Sequence, residues 1–145
     1  MKGRPFVTAF EAAAPAVCRQ GRLRRHSRAW NGERLFLHYD WTCPNQEAIA
    51  VVRLQLFPNK RHLWIGSIEI ACPHRGQGLG TTMVRAIEIG AKTQRFETIR
   101  LFSRFRATGF WQKLGYQPEA DPRYYRKSCL PYPSILNDSN LTFSL

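Results

Sequence analysis

The sequence predicts an α/β fold built on a mixed, mostly antiparallel sheet with flanking helices, and three observations support this. Between residues 34 and 103, runs rich in Val, Ile, Leu and aromatic residues alternate with turn residues, which is typical of strands. A glycine-rich turn over residues 75–80 leads directly into a segment with helical periodicity. Another strand-like run follows that helix, and a strand, helix and strand of this length favour a right-handed parallel crossover beside antiparallel hairpins.

The first 34 residues form the most biased and most basic segment of the chain. Residues 6–10 favour a short strand, and the Ala-rich residues 11–18 favour a helix despite Pro15. Five arginines then crowd into ten residues: Arg19, Arg22, Arg24, Arg25 and Arg28. Such a run is either an ordinary solvated face or a phosphate-binding patch, and the sequence leaves both interpretations open.

The rest of the chain has a regular order of elements. Three antiparallel strands are predicted first, joined by turns at residues 43–46 and 58–60; they cover residues 34–41, 48–57 and 62–70. A helix from Thr81 to about Gln94 has one packing face, formed by Leu79, Met83, Ala86, Ile87 and Gly90. The remaining predictions are a strand over 98–103, a short helix over 107–114 ended by Gly115, and a strand-like segment over 123–129.

Length and charge limit the class of protein. The 145 residues suit a single domain, with residues 130–145 either loosely attached or adding an edge strand. The apolar stretches are far shorter than the ~20 residues of a membrane-spanning helix, and the start has no apolar leader. We therefore expect a cytoplasmic monomer or homodimer with no membrane span. The formal net charge of +12 favours an anionic partner, which could be nucleic acid, a membrane surface or a phosphorylated small molecule, and the charge alone does not choose among them.

The four cysteines are far apart in the sequence, at Cys18, Cys43, Cys72 and Cys129. No pair has the Cys-x-x-Cys spacing, so free thiols and no metal site are expected. Cys72 and His74 alone are too few ligands to indicate a metal.

Three glycines at positions 76, 78 and 80 stand between a predicted strand and a predicted helix. They let the backbone approach a ligand closely, while amide groups and the helix N-terminus point towards an anion. A P-loop would require a Lys directly after the last glycine, where Thr81 stands. A dinucleotide-binding turn would place its third glycine one residue later and an acidic residue at the end of the next strand.

Two sequence blocks fit a third phosphate-binding family. Ile68-x-Ile70 followed by Arg75-x-x-Gly78-x-Gly80 resembles the coenzyme A pyrophosphate loop of the GNAT superfamily of N-acetyltransferases. The segment from Ala107 to Tyr116, with the sequence ATGFWQKLGY, resembles the late helix and turn of the same family. The resemblance covers about residues 62–129 and implies the GNAT-like acyl-CoA N-acyltransferase fold.

The resemblance also implies how acetyl-CoA binds. The pantetheine arm would run beside the backbone of Ile70 and Ala71, in a gap between two splayed parallel strands. The pyrophosphate would lie on the backbone amides of the loop and first helical turn: Arg75, Gly76, Gln77, Gly78, Leu79, Gly80 and Thr81. The side chains of Arg75 and Lys113 would lie near coenzyme phosphates. Arg104 stands where an Asn commonly contacts the coenzyme.

The same resemblance suggests candidates for catalysis. Glu69 is the first candidate for the base that deprotonates the amine, although it equally fits an ordinary strand Glu facing a cation; His74 is the second. Trp111 stands where many members have a Tyr that protonates the leaving thiolate, and an indole has no usable acidity. Tyr116 is a weak alternative acid.

The expected reaction is direct transfer of an acetyl group to the amine of a small molecule or peptide. The high net charge keeps a second hypothesis open. It is a basic nucleic-acid-binding module with this fold, or an acetyltransferase whose acceptor is carried by RNA or the ribosome.

Overall fold

A computed structural model describes residues 3–14, 22–44, 48–71, 75–76 and 78–129. Within these ranges lie a seven-stranded sheet and three α-helices. The helices are α1 (Arg4–Ala13), α2 (Leu79–Thr93) and α3 (Thr108–Lys113). The strands are β1 (Arg22–Trp30), β2 (Leu35–Thr42), β3 (Ala48–Phe57), β4 (His62–Ile70), β5 (Thr98–Phe102), β6 (Gln117–Pro118) and β7 (Tyr124–Ser128). The predicted tail beyond residue 129 lies outside the described residues.

The sheet is mixed, as predicted, with the order β1-β2-β3-β4-β5-β7-β6. The hairpins β2–β3 and β3–β4 are antiparallel, and β4 and β5 form a parallel pair connected by α2. This arrangement confirms the fold class and the crossover. Helix α2 begins at Leu79, two residues before its predicted start, and buries Met83, Ala86, Ile87 and Gly90.

The predicted strand over residues 6–10 is wrong, because these residues form most of α1. Phe6, Val7 and Phe10 share one face of the helix and are buried, and the rings of Phe6 and Phe10 stack at 5.5 Å. A short apolar run has no periodicity that separates a strand from a buried helix. Contacts with Tyr39 on β2 and with α2 decide the outcome.

The arginine run lies largely on β1, an edge strand that the sequence did not predict. Almost all of its nine residues are exposed, so it lacks the alternation of a half-buried strand. Arg24 binds Asp40 through two hydrogen bonds of 3.1 Å, and Arg25 binds Glu11 at 2.8 Å. For Arg24 and Arg25, the interpretation as an ordinary solvated face therefore fits better than a phosphate-binding patch. Arg19 lies outside the described residues.

All three described helices lie on one face of the sheet. Helix α1 contacts α2 and the β2 side chains Tyr39 and Trp41. Helix α3 is joined to the same face where Gln112 donates a hydrogen bond to the Tyr125 hydroxyl and Phe110 approaches Gly80 of α2. Between helices and sheet lies the core. The opposite face of the sheet, called the open face below, carries Phe36, Trp64, Arg100, Phe102, Tyr124 and Arg126.

The cysteines differ from the expectation of free thiols. Cys43, directly after β2, is disulfide-bonded. Cys129 is free and buried, and burial raises the pKa of its thiol to about 11. No helix within the described residues is long and apolar enough to span a membrane.

Candidate active site

A cavity of about 740 Å³ opens where β4 and β5 separate. The two strands pair only from His62 to Ile65 and from Thr98 to Leu101, although β4 continues to Ile70. Gly66 is an extra residue on β4 opposite the Arg53–Leu54 step of β3, and such a bulge turns the strand. The Gly66 position is tight, because an added Cβ would lie 3.2 Å from the Arg53 carbonyl oxygen. The bulge and the early end of β5 explain the predicted splay.

The backbone of β4 presents polar groups to this cavity. The Ala71 amide donates to the Ile49 carbonyl at 2.9 Å, which makes Ala71 and Ile49 a hydrogen-bonded pair of the ladder. In an antiparallel pair the neighbouring residues point their amides and carbonyls the other way. Ile68 and Ile70 therefore direct their backbone groups into the split, where β5 is no longer paired. The cavity wall includes both residues and Ala71.

The N-terminus of α2 borders the same cavity and has no side-chain cap. Gly78 caps the helix in the left-handed conformation with φ of 78°, and Gly76 has the same φ. A Cβ at either glycine would meet no atom within 4 Å, so open space adjoins the loop. Gly80 differs, since its Cβ would lie 3.3 Å from the Phe110 ring. Amides of an uncapped first turn, which includes Leu79 and Thr81, are donors for an anion.

Two of the predicted cations line the cavity, and a third does not. Arg75 donates from Nε to the Ile70 carbonyl at 2.8 Å, which holds its guanidinium beside the end of β4. Arg104, exposed directly after β5, is also part of the wall. Lys113 is exposed on the last turn of α3 and is not part of the wall. Gln77 and His74 lie outside the described residues.

Glu69 lies on the cavity wall at the open face of the sheet. Its side chain is 61% exposed, and Oε2 accepts a hydrogen bond from Arg53 Nη1 at 3.2 Å. Arg53 also donates to the Ser67 hydroxyl at 3.1 Å. The carboxylate therefore faces a cation, as an ordinary strand Glu would, and it also borders the cavity.

Trp111 and Tyr116 pack against each other, and only Trp111 reaches the cavity. Their rings form an edge-to-face pair at 5.2 Å. Tyr116 is 2% exposed and donates its hydroxyl proton to Glu88 at 3.0 Å, while Lys127 binds the same carboxylate at 3.2 Å. Burial and then Glu88 raise the pKa of Tyr116. This placement argues against Tyr116 as the acid, because its proton points into a closed network away from the cavity.

Several wall residues were not singled out from the sequence. Phe110 covers Gly80 on the helix side, while Phe102 and Ser67 lie at the open-face side. Phe102 belongs to an ordinary strand run, and Ser67 comes directly after the Gly66 bulge. No sequence motif marks either residue. Phe110 lies inside the second motif block, which was the one available signal.

The family comparison agrees with this geometry. The model of the acetyltransferase (GNAT) family matches residues 6–116, which includes the split strands, the loop and both motif blocks. The chain belongs to the GNAT family. No curated protein matches its sequence.

Solved structures show the same GNAT fold at low sequence identity. Tetrahymena GCN5 has a TM-score of 0.57 at 12% identity, covering 70% of this chain and 72% of the other. The spermidine/spermine N-acetyltransferase SpeG from Vibrio cholerae has a TM-score of 0.56 at 13% identity, covering 76% and 94%. The PaiA N-acetyltransferase from Thermoplasma acidophilum, solved with coenzyme A, has a TM-score of 0.54 at 15% identity, covering 64% and 60%.

Proposed function

We propose that this GNAT protein transfers the acetyl group of acetyl-CoA to the amine of a small molecule or peptide in the cytoplasm. One observation carries the proposal. The split between β4 and β5 joins unpaired strand backbone on one wall to the uncapped, glycine-rich N-terminus of α2 on another. Strand backbone suits an extended chain with amides, and a helix N-terminus suits a pyrophosphate. Coenzyme A contains both.

The residues present fit this coenzyme. Gly76 and Gly78 leave open space beside the loop, so its backbone can be approached closely by phosphate oxygens. Arg75 and Arg104 add positive charge at the cavity wall. The amide of Ile70 points into the split and would donate to the thioester carbonyl, a contact that strengthens as negative charge develops on that oxygen.

The bound coenzyme supplies an activated acetyl group and a thiolate leaving group. Glu69 would accept a proton from the acceptor amine, directly or through water, because it is the carboxylate on the cavity wall at the open face. Arg53 would hold that carboxylate in place through the 3.2 Å hydrogen bond. Trp111 shapes the wall without donating a usable proton, so the thiolate would be protonated by solvent.

The charge of the chain disfavours a polycationic acceptor. Glu69 is bound to Arg53, Asp40 to Arg24, and Glu33 lies 3.5 Å from Lys60. Each of these carboxylates already faces a cation, and the whole chain carries +12. A positive field repels polyamines. We therefore favour acceptors with a single amine.

Isothermal titration with acetyl-CoA tests the proposal, with one site expected per chain. Gly78→Trp should abolish binding, because an indole would fill the space beside the loop. The matched control is Gly32→Trp in the β1–β2 turn, where φ is also positive, at 94°, and a Cβ would again meet nothing within 4 Å. Both variants carry similar backbone strain. The proposed site is therefore supported only if Gly78→Trp loses acetyl-CoA binding and Gly32→Trp retains it. Absence of binding to the folded wild-type chain would disprove the proposal.

A further inference from the structure

The open face of the sheet carries several aromatic and cationic side chains that lie close to one another. Five strands contribute to one row across the sheet, read from the pairing register: Phe36, Gln55, Trp64, Arg100 and Arg126. Neighbouring positions in such a row are about 4.8 Å apart. None of the three described helices covers this face.

The aromatic rings of the open face form a cluster beside the row. Tyr124 lies 5.8 Å from Trp64 and 5.5 Å from Phe102, measured between ring centroids. Phe102 is 49% exposed, although a large apolar side chain on a sheet face is normally covered. The cluster therefore offers ring faces and edges to a planar ligand.

Cationic groups are interleaved with these rings. Arg100 lies 5.6 Å from the Trp64 ring, and Arg123 lies 5.9 Å from the Tyr124 ring. Glu119 and Asp121 neutralise these two arginines. Arg126 is exposed and has no carboxylate within ion-pair distance among the described residues. The guanidinium of Arg34 lies over Phe36 at 5.1 Å, and its buried Nε has no hydrogen-bond partner in the described part of the chain.

From this combination we infer that the open face binds single-stranded nucleic acid. Unpaired bases stack on exposed aromatic rings whatever their sequence, and Arg126, which has no carboxylate within ion-pair distance among the described residues, would bind a phosphate. A duplex hides its base faces and cannot use the rings. A purely acidic peptide would use the arginines but would leave the aromatic cluster without a function. The excess positive charge of the chain complements the phosphate backbone.

This footprint differs from the arginine run of β1. Arg24 and Arg25 on that strand are bound to Asp40 and Glu11, as Arg100 and Arg123 are to Glu119 and Asp121, so ion pairing alone does not separate the two surfaces. The open face instead places rings and guanidinium groups from separate strands next to each other. Phe102 also belongs to the cavity wall, so a bound strand would pass close to the acceptor side of the split.

Fluorescence anisotropy with a labelled 15-nucleotide oligo(U) tests the inference on the full chain, without acetyl-CoA. We expect the single strand to bind at least tenfold more tightly than an RNA duplex of the same length, and its affinity to fall with rising salt. Phe102→Ala should weaken binding by about tenfold, and Phe102→Trp should restore it, because stacking needs a ring. Arg126→Glu should also weaken binding.

The matched charge control is Arg4→Glu, on an exposed helix position away from the open face. It changes the net charge by the same amount and should reduce affinity by no more than about twofold. Equal weakening by Arg4→Glu and Arg126→Glu would reduce the binding to non-specific charge and overturn the inference. Equal affinity for the duplex, insensitivity to Phe102→Ala, or no binding at low salt would also overturn it. None of these outcomes depends on acetyl transfer.

Discussion

At the scale of single residues, the candidate site combines an exposed carboxylate with a buried aromatic wall. Glu69 keeps 61% of its side chain exposed while Arg53 fixes one of its oxygens. Trp111 is 7% exposed and packs edge-to-face against Phe110 at 5.0 Å. Glu69, the proposed proton acceptor, and this wall thus lie on opposite sides of the split: Glu69 reaches solvent and the aromatic wall excludes it.

Glu69→Gln tests the proposed base. The amide retains the shape of the side chain but cannot accept a proton, so kcat should fall by roughly 10²-fold. The affinity for acetyl-CoA should stay nearly unchanged, because the proposed phosphate site is at the α2 N-terminus, away from Glu69. Steady-state kinetics and titration calorimetry measure the two quantities separately.

Glu97→Gln is the matched control for this experiment. Glu97 is also an exposed Glu beside one arginine, with Arg61 at 3.6 Å, and it is not part of the cavity wall. Its variant should retain full activity. Wild-type turnover in Glu69→Gln would remove Glu69 from the mechanism.

At the scale of elements, the packing of α1 on α2 decides how the N-terminal segment folds. Phe6 is fully buried against Gly90, and its backbone amide donates to the Gln94 side chain at 2.9 Å. A Cβ at Gly90 would lie 2.7 Å from the Phe6 ring and 3.1 Å from its carbonyl oxygen. The two helices therefore approach each other as closely as a glycine allows.

Gly90→Ala should lower the free energy of unfolding by about 1–3 kcal/mol, since the added methyl group overpacks a fully buried contact. Gly109→Ala in α3 is the control, because a Cβ there would meet nothing within 4 Å. Alanine favours a helix over glycine, so Gly109→Ala should leave stability unchanged or slightly raised. Urea unfolding curves of the three proteins measure the difference. Equal stability of both variants would show that α1 does not pack as described.

At the scale of the whole molecule, burial of two histidines, together with nearby positive charge, shapes the response to pH. Burial, and then the nearby Arg100, lower the pKa of His62. Burial, and then Arg53, lower the pKa of His38. On the acid side, the hydrogen bonds from Arg100 lower the pKa of Glu119. All three groups bind protons less readily in the folded chain than in the unfolded chain.

The free energy of unfolding should therefore fall as the pH drops from about 8 to about 5. Below the ordinary histidine pKa of about 6.5, these two histidines are protonated in the unfolded chain but stay largely neutral in the folded chain. The stability that they contribute is therefore present above that pH and is lost as the pH falls below it. Urea midpoints across this range measure the trend. The double variant His38→Gln/His62→Gln should flatten it, and an unchanged slope in that variant would contradict the assignment.

The sequence by itself determined those elements whose signal is local. The strands over 48–57 and 62–70 have continuous β-branched and aliphatic runs, and the helix after Gly80 has a regular apolar face. The glycine loop follows from the same local chemistry, because the positive φ at positions 76 and 78 favours glycine. Two short blocks in a fixed order were enough to indicate the family.

Only the tertiary structure decided the rest, because the contacts involved join residues far apart in the chain. Residues 6–10 became helical through packing against Gly90, and β1 exists because it pairs with β2 although its own residues are almost all exposed. The Tyr116 hydroxyl points away from the cavity because it donates a hydrogen bond to Glu88, which lies 28 positions earlier in the chain. The open face arises from the register of five strands, and no local pattern specifies which side chains a sheet places next to one another.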